Sequence, residues 1–179
     1  MSPTTPDYLP LLPLVELADC SAQLPRPTMA SIVSQEVRVF RVPDDASDTA
    51  ECSARFGIPL EDGANTIVLR FKKESREQSA AIVALADRRI DVNGAVRRAL
   101  GAQRVSFAPR EWATEQCGME YGGVTAFGLP RDWPILIDTR VMERTRIVMG
   151  AGVRSLKLLL RPSTLLTLPN ASVHDLLKT

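Results

Sequence analysis

A chain of 179 residues, 45% of them hydrophobic, is the size of one domain and can form a full core. The net charge of +1 gives no overall attraction to nucleic acid. The single histidine, His174, argues against serine–histidine catalysis and against a multi-histidine metal site. The three cysteines, Cys20, Cys52 and Cys117, are widely spaced and form no CxxC pair, which argues against a disulfide framework or a zinc site. We therefore predict no metal and no cofactor.

The cysteine pattern also fits a reducing compartment. No apolar run approaches the length of a membrane span, so no membrane association is expected. The first twenty residues lack a basic leader, and Pro10 and Pro13 interrupt their apolar part, so a signal peptide is not predicted. Together these features predict a cytoplasmic protein.

Charge is distributed unevenly along the chain. Residues 43–62 carry six acidic residues against one arginine, whereas residues 88–110 carry six arginines against one aspartate. A basic face could contact a phosphate backbone locally. Solvated surface charge is the commoner explanation of such runs.

The N-terminal part is rich in proline. Residues 1–27 hold six of the thirteen prolines and few charges, which predicts an arm packed on a domain of residues 28–179. The predicted anchors of this arm are its apolar residues Leu9, Leu11, Leu12, Leu14 and Val15. A short helix near residues 28–34 and a strand at 37–42 follow.

The middle of the chain alternates helices and strands. A helix after Asp48, with Glu51 in a capping box and Gly57 at its end, precedes strands at 67–71 and 80–86 and an intervening polar turn at 72–78. A helix from Asp91 to Gly101, a strand at 105–107 and a helix at 110–116 come next. Short strands at 135–137 and 147–149, a helical turn at 162–168 and a final helix at 171–178 complete the chain. The alternation is irregular, so the prediction is an α/β fold with a mixed sheet.

Two glycine clusters organise residues 117–160. Gly122, Gly123 and Gly128 precede one of the short apolar strands, and Gly150 and Gly152 follow the other. Glycine lets the backbone turn through positive φ and lets a ligand approach the main chain closely. The pattern predicts a cleft walled by backbone N–H and C=O groups; a pair of tight turns without a ligand is the alternative.

Five motifs in order carry a family resemblance. They are FGIPL at 56–60, the helix of 91–101 followed by AQRVSFAP, GMEYGGVTAFG at 118–128, PILID at 134–138 and GAGVRSLKL at 150–158. From residue 56 to residue 178 the chain resembles the YbaK/EbsC family, the prolyl-tRNA synthetase-associated editing domain.

This resemblance implies a mixed, barrel-like central sheet with flanking helices and a pocket between the glycine loops. It also implies hydrolysis, in trans, of the ester of a mischarged tRNA such as Cys- or Ala-tRNA-Pro. The implied partners are the acceptor end of tRNA and an aminoacyl-tRNA synthetase. An aminoacyl ester is already activated, so backbone N–H groups and a positioned water can suffice for catalysis.

The candidate site combines resemblance with departures from the family pattern. Asn65 stands where the family commonly has a lysine that is important for deacylation, and Lys157 stands where it often has an acid or a small polar residue. If both face the pocket, the positive charge has moved from one wall to the other; an outward-pointing Lys157 is equally compatible with the sequence. The predicted catalytic residues are Asn65, Gly122 and Lys157. The predicted substrate-binding residues are Thr66, Tyr121, Gly123, Thr125, Gly150, Gly152 and Arg154.

The loss of the family lysine at Asn65 favours a rival hypothesis. In it, the chain is a catalytically silent module that binds tRNA or a synthetase. A small-nucleotide hydrolase is disfavoured, because the sequence has no GxxxxGK[ST] loop and no metal-binding acid cluster.

Overall fold

The computed structural model describes residues 6–178; the first five residues of the predicted arm, and Thr179, lie outside that range. Within it, nine strands form two sheets with short helices around them. The strands are β1 (Leu14–Val15), β2 (Val37–Arg41), β3 (Ala64–Lys73), β4 (Arg76–Leu85), β5 (Arg104–Phe107), β6 (Ile135–Asp138), β7 (Ile147–Gly150), β8 (Leu156–Leu160) and β9 (Ala171–His174). The α-helices are α1 (Leu17–Cys20), α2 (Arg26–Ile32), α3 (Thr49–Phe56), α4 (Arg97–Leu100), α5 (Arg110–Cys117) and α6 (Thr139–Met142).

The two sheets differ in topology. One has the order β1-β2-β8-β7 with antiparallel pairs throughout, and the other has the order β5-β3-β4-β6-β9 with both parallel and antiparallel pairs. They meet where β3 packs against β7, at a parallel bridge between Gly63 and Val148. The prediction of an α/β fold with a mixed sheet is confirmed. Residues 6–178 form no closed barrel, so the barrel-like part of that prediction is not confirmed.

β3 and β4 form a longer hairpin than predicted. The polar run at 72–78 is mostly strand, and the turn itself is only Glu74 and Ser75, with φ of 50° and 63°. Two consecutive positive φ angles match the right-handed twist of a tight hairpin. The polar side chains of this run indicate a turn, but the backbone on both sides of Glu74 and Ser75 remains paired.

The predicted C-terminal helix is wrong. Residues 171–174 form β9, which pairs in parallel with β6, so His174 lies on an edge strand and its Nε2 is 2.8 Å from Ser172 Oγ. The segment begins after Asn170 at φ 62°, a turn conformation, and its backbone pairs with β6 instead of forming helical hydrogen bonds. Asp138 at the end of β6 acts as a structural acid, accepting hydrogen bonds from the N–H groups of Arg140 and Leu176.

Residues 6–27 pack closely on the rest of the fold. β1 extends the four-stranded sheet, and the Tyr8 hydroxyl donates to Asp62 Oδ2 at 3.0 Å. Leu12 is a buried anchor as predicted, but Leu11 and Leu14 are 63% and 41% exposed, so those two anchors are wrong. A short edge strand turns alternate side chains to solvent. The buried anchors that the sequence reasoning missed are Tyr8, Cys20 and Leu24.

Glycine ends three of the helices. Gly57, Gly101 and Gly118 follow α3, α4 and α5 with φ between 61° and 67°, the left-handed conformation that terminates helices. The predicted capping box at Asp48 is not formed, because the Asp48 carboxylate accepts no hydrogen bond from the first turn of α3. It lies instead 3.6 Å from the Arg154 guanidinium.

The four-stranded sheet is covered on both faces. One face joins the main core between the sheets, with Leu156, Leu158 and Leu160 of β8. The other face packs Phe40, Val148 and Leu159 beneath α3 and the N-terminal segment. Every residue of β8 is therefore buried, including the charged Lys157.

Candidate functional site

A cavity of about 330 Å³ lies between α3, the start of β3, the first glycine turn and the β7–β8 hairpin. Its volume is at the small end of the range for small-molecule sites. The lining residues are Asp48, Thr49, Cys52, Ser53, Ile58, Gly63, Ala64, Asn65, Thr66, Ile67, Tyr121, Gly122, Val124, Val148, Met149, Gly150 and Lys157. Six of the ten predicted site residues are in this set.

Lys157 points into the cavity. In β8 it alternates with Leu156 and Leu158, which face the main core, and so projects from the opposite face of the sheet. The side chain is only 5% exposed, and its Nζ donates to the Gly122 carbonyl oxygen at 3.4 Å. The sequence left open whether Lys157 faces the pocket or points outward, and in the structure its side chain faces the pocket.

Burial controls the electrostatics of Lys157. Loss of solvent lowers its pKa below the ordinary value, and the nearby Arg154 guanidinium adds to this, while Cys52 and Asp48 act in the opposite direction. Burial also raises the pKa of the Cys52 thiol. Lys157 is the single cationic side chain among the lining residues that the structure describes, and Asp48 is the single anionic one.

Asn65 and Thr66 supply polar groups on the opposite wall. The Asn65 side-chain oxygen accepts from the Thr49 hydroxyl at 2.8 Å, which leaves its NH₂ group without a partner among residues 6–178. The Thr66 hydroxyl is buried and makes no hydrogen bond within the same residues. A buried polar atom without a partner is uncommon in a folded protein. The Asn65 NH₂ group can bond to a ligand in the cavity, whereas the Thr66 hydroxyl is shielded from solvent in this structure.

The two glycine turns lie side by side. The N–H of Gly152 donates to the Gly123 carbonyl at 2.7 Å, and the N–H of Glu120 donates to the Gly152 carbonyl at 2.9 Å. Gly122 and Gly150 line the cavity, whereas Gly123 and Gly152 lie behind it and join the turns. The Gly122 N–H forms no hydrogen bond within residues 6–178, so it is available as a donor.

The remaining predicted residues lie at the mouth or behind the wall. Tyr121 is 51% exposed at the mouth, with the Arg110 guanidinium 3.6 Å from its ring centre. Arg154 does not line the cavity; it donates to the Tyr121 carbonyl at 3.3 Å and to the Ser47 hydroxyl. Thr125 is fully buried away from the cavity, where its hydroxyl accepts from the Phe127 N–H at 3.5 Å.

The sequence reasoning missed the wall formed by α3. Asp48, Thr49, Cys52 and Ser53 are spaced one and four residues apart, which places them on one face of a helix. A Thr, Cys and Ser sharing that face was the available signal.

Over residues 6–178, the His, Cys, Asp and Glu side chains form no group of three that could hold a metal ion. No helix in the described part of the chain has both the length and the apolar character needed to cross a membrane.

Comparison with known proteins supports the family resemblance. Residues 43–168 match the model of the aminoacyl-tRNA editing domain. A candidate trans-editing enzyme for prolyl-tRNA synthetase superposes with a TM-score of 0.74 at 20% identity, over 86% of this chain and 96% of that one. The hypothetical protein APE2540 superposes with a TM-score of 0.71 at 22% identity, over 79% and 91% of the two chains. No curated protein matches the sequence.

Proposed function

The chain belongs to the aminoacyl-tRNA editing domain family, the YbaK family predicted from its motifs, and from this premise we propose that it is a trans-editing deacylase. Its substrate is a tRNA that carries the wrong amino acid, and its reaction is hydrolysis of the aminoacyl ester. The observation that carries the proposal is the convergence of Lys157, Asn65, Thr66 and Gly122 on one small cavity. We further propose that it acts in the cytoplasm, on the acceptor end of the tRNA.

The proposed reaction needs no covalent intermediate with the protein. A water oxygen attacks the ester carbonyl carbon, and the carbonyl oxygen becomes an oxyanion. The oxyanion collapses and expels the ribose oxygen, which takes the proton that the water has lost. The products are a free amino acid and a tRNA with a free terminal hydroxyl.

Each wall contributes to this step in the proposal. The Lys157 ammonium and the Gly122 N–H stabilise the oxyanion, and preorganised donors of this kind contribute roughly 10²–10³ each in rate. The Asn65 amide positions the substrate and the water, and Thr66 contributes to the same wall. Lys157 thus supplies from β8 the charge that the family lysine would supply from β3, so the presence of Asn65 is compatible with activity.

The size of the cavity favours a small acyl group. The volume of about 330 Å³ is at the small end for small-molecule sites, and we propose that it holds a small amino acid together with part of the ribose. Cysteinyl- and alanyl-tRNA-Pro are accordingly the first substrates to test. We propose that the exposed Tyr121 ring at the mouth contacts the terminal nucleotide.

The test is a deacylation assay with a panel of mischarged tRNAs. We expect catalytic amounts of the protein to release the amino acid from small mischarged species faster than from correctly charged prolyl-tRNA. Saturable tRNA binding with no release above the spontaneous rate would support the silent binding module instead. Phenylalanyl-tRNA is the matched control for cavity size.

A further inference from the structure

A second cavity lies at the other end of the four-stranded sheet. Its volume is about 390 Å³, and three arginines, Arg38, Arg146 and Arg161, contribute to its lining. We call it the arginine cavity. Glu36 is the one acidic residue among the described lining residues.

The strand register brings these arginines together. Arg38 is two residues before Phe40, Arg146 two before Val148, and Arg161 two after Leu159. Those three apolar residues share one buried face of the sheet, so strand alternation projects the three arginines from that face as well. Continuing the pairing of Ile147 with Leu160 by one residue places Arg146 opposite Arg161.

The positive charges in the arginine cavity outnumber the one negative charge, that of Glu36. None of the three guanidinium groups takes part in an ion pair with any residue from 6 to 178. The Nη1 atom of Arg146 is buried and has no hydrogen-bond partner in the same range. Burial lowers the pKa of Arg146, and the charges of Arg161 and Arg38 lower it further, while Glu36 and Tyr8 act in the opposite direction. Like charges that meet around an unbonded donor are the arrangement expected of an anion site.

We propose that the arginine cavity binds a phosphate group. Guanidinium groups match the geometry of phosphate oxygens through paired hydrogen bonds, and three of them can neutralise a dianion. The phosphate could be a free ion or a phosphodiester of bound RNA. The RNA case rests on the proposed function: Arg161 is four positions along the chain from Lys157, about 13 Å at ~3.3 Å per residue, so one bound RNA can reach both cavities.

The first arm of the test uses inorganic phosphate alone. Thermal unfolding is followed in sodium phosphate and in sodium chloride of equal ionic strength for the full chain and for Arg146→Gln and Arg161→Gln. Phosphate at ten times its dissociation constant should raise the Tm of the unmodified protein by about 3–6 °C and leave both variants unchanged. Arg104→Gln, which removes a 73% exposed arginine from β5, is the control and should respond like the unmodified protein.

The second arm measures binding of uncharged tRNA by fluorescence anisotropy at several salt concentrations. If RNA supplies the phosphate, Arg146→Gln and Arg161→Gln weaken binding several-fold and reduce the log–log salt slope by about 1, while Arg104→Gln has a smaller effect. A rise in Tm in phosphate that both variants lose, together with tRNA binding that both variants keep, assigns the site to a free phosphate. Absence of both effects overturns the proposal.

Two controls distinguish loss of the phosphate site from effects on folding and on catalysis. Removal of one like charge should leave the Tm in chloride unchanged or higher, so a folded variant is available for both arms. Deacylation by the unmodified protein is measured in parallel. A rise in Tm in phosphate without any deacylation would contradict the proposed function but still support phosphate binding in the arginine cavity.

Discussion

Replacing Lys157 with methionine should lower the rate of deacylation about 100-fold or more without unfolding the protein. The variant keeps the length of the side chain but removes the cation that we propose to stabilise the oxyanion, and loss of such a donor typically reduces kcat by roughly 10²–10³. The measurement is the initial rate of amino acid release from a mischarged tRNA. A rate within threefold of the unmodified protein would contradict the role of Lys157.

The stability of the same variant provides the control. An amine that is 5% exposed is destabilising when charged, so Lys157→Met should be at least as stable as the unmodified protein near neutral pH. Burial lowers the pKa of Lys157, so the native state releases this proton at lower pH than the unfolded chain does. Between those two pKa values the unfolded state binds more protons, and stability therefore rises with pH.

The lowered pKa of Lys157 therefore predicts the direction in which the stabilities of the two proteins diverge with pH. As pH increases from neutral toward the ordinary lysine pKa, the unmodified protein should gain stability relative to Lys157→Met. Denaturant unfolding of both proteins across that range measures the difference. Parallel pH profiles would mean that Lys157 titrates alike in the folded and unfolded states, in conflict with its burial.

Gly150→Ala should lower both the stability of the fold and the rate of deacylation. A Cβ at Gly150 would lie 2.4 Å from the carbonyl oxygens of Gly123 and Val124, and backbone atoms cannot move aside as a flexible side chain can. The turn that carries Gly122 must therefore shift. We expect a loss of about 1–3 kcal/mol in stability from the overpacking and a loss of up to about 100-fold in deacylation rate. Chemical denaturation and the deacylation assay measure the two effects.

Gly118→Ala is the matched control for this substitution. Gly118 has a φ of 65°, but a Cβ there would meet nothing within 4 Å, so only backbone strain is introduced. That strain is about 1 kcal/mol, and the cavity is untouched. If Gly118→Ala lowers the rate as much as Gly150→Ala does, the effect reports general instability rather than contact between the two glycine turns.

The sequence predicted the parts of the site that local chemistry determines. Glycine at Gly57, Gly101 and Gly118 marks helix ends because few other residues adopt the left-handed conformation. The order of the glycine motifs identified the family and the two turns that form the cavity. These signals are local in the chain, and each reports a backbone requirement that does not depend on distant contacts.

Other features depended on tertiary pairing that the sequence does not display. β8 lies between β2 and β7 and is buried on both faces, so the alternation of Leu156, Lys157 and Leu158 could not reveal the direction of the lysine. The local sequence of residues 171–178 predicts a helix. Its strand character comes from pairing with β6, which the local sequence does not show. The wall formed by α3 depends on how that helix packs over the sheet, which the sequence does not show.

The most direct test of the account is to bind a non-hydrolysable aminoacyl-adenosine, with an amide in place of the ester, and to follow the backbone amides by NMR. We predict that the largest shifts fall on Asn65, Thr66, Gly122 and Gly150, and that Lys157→Met weakens binding of the analogue. Saturable binding whose shifts fall elsewhere, with the amides of these four residues unmoved, would contradict the assignment of the cavity as the deacylation site.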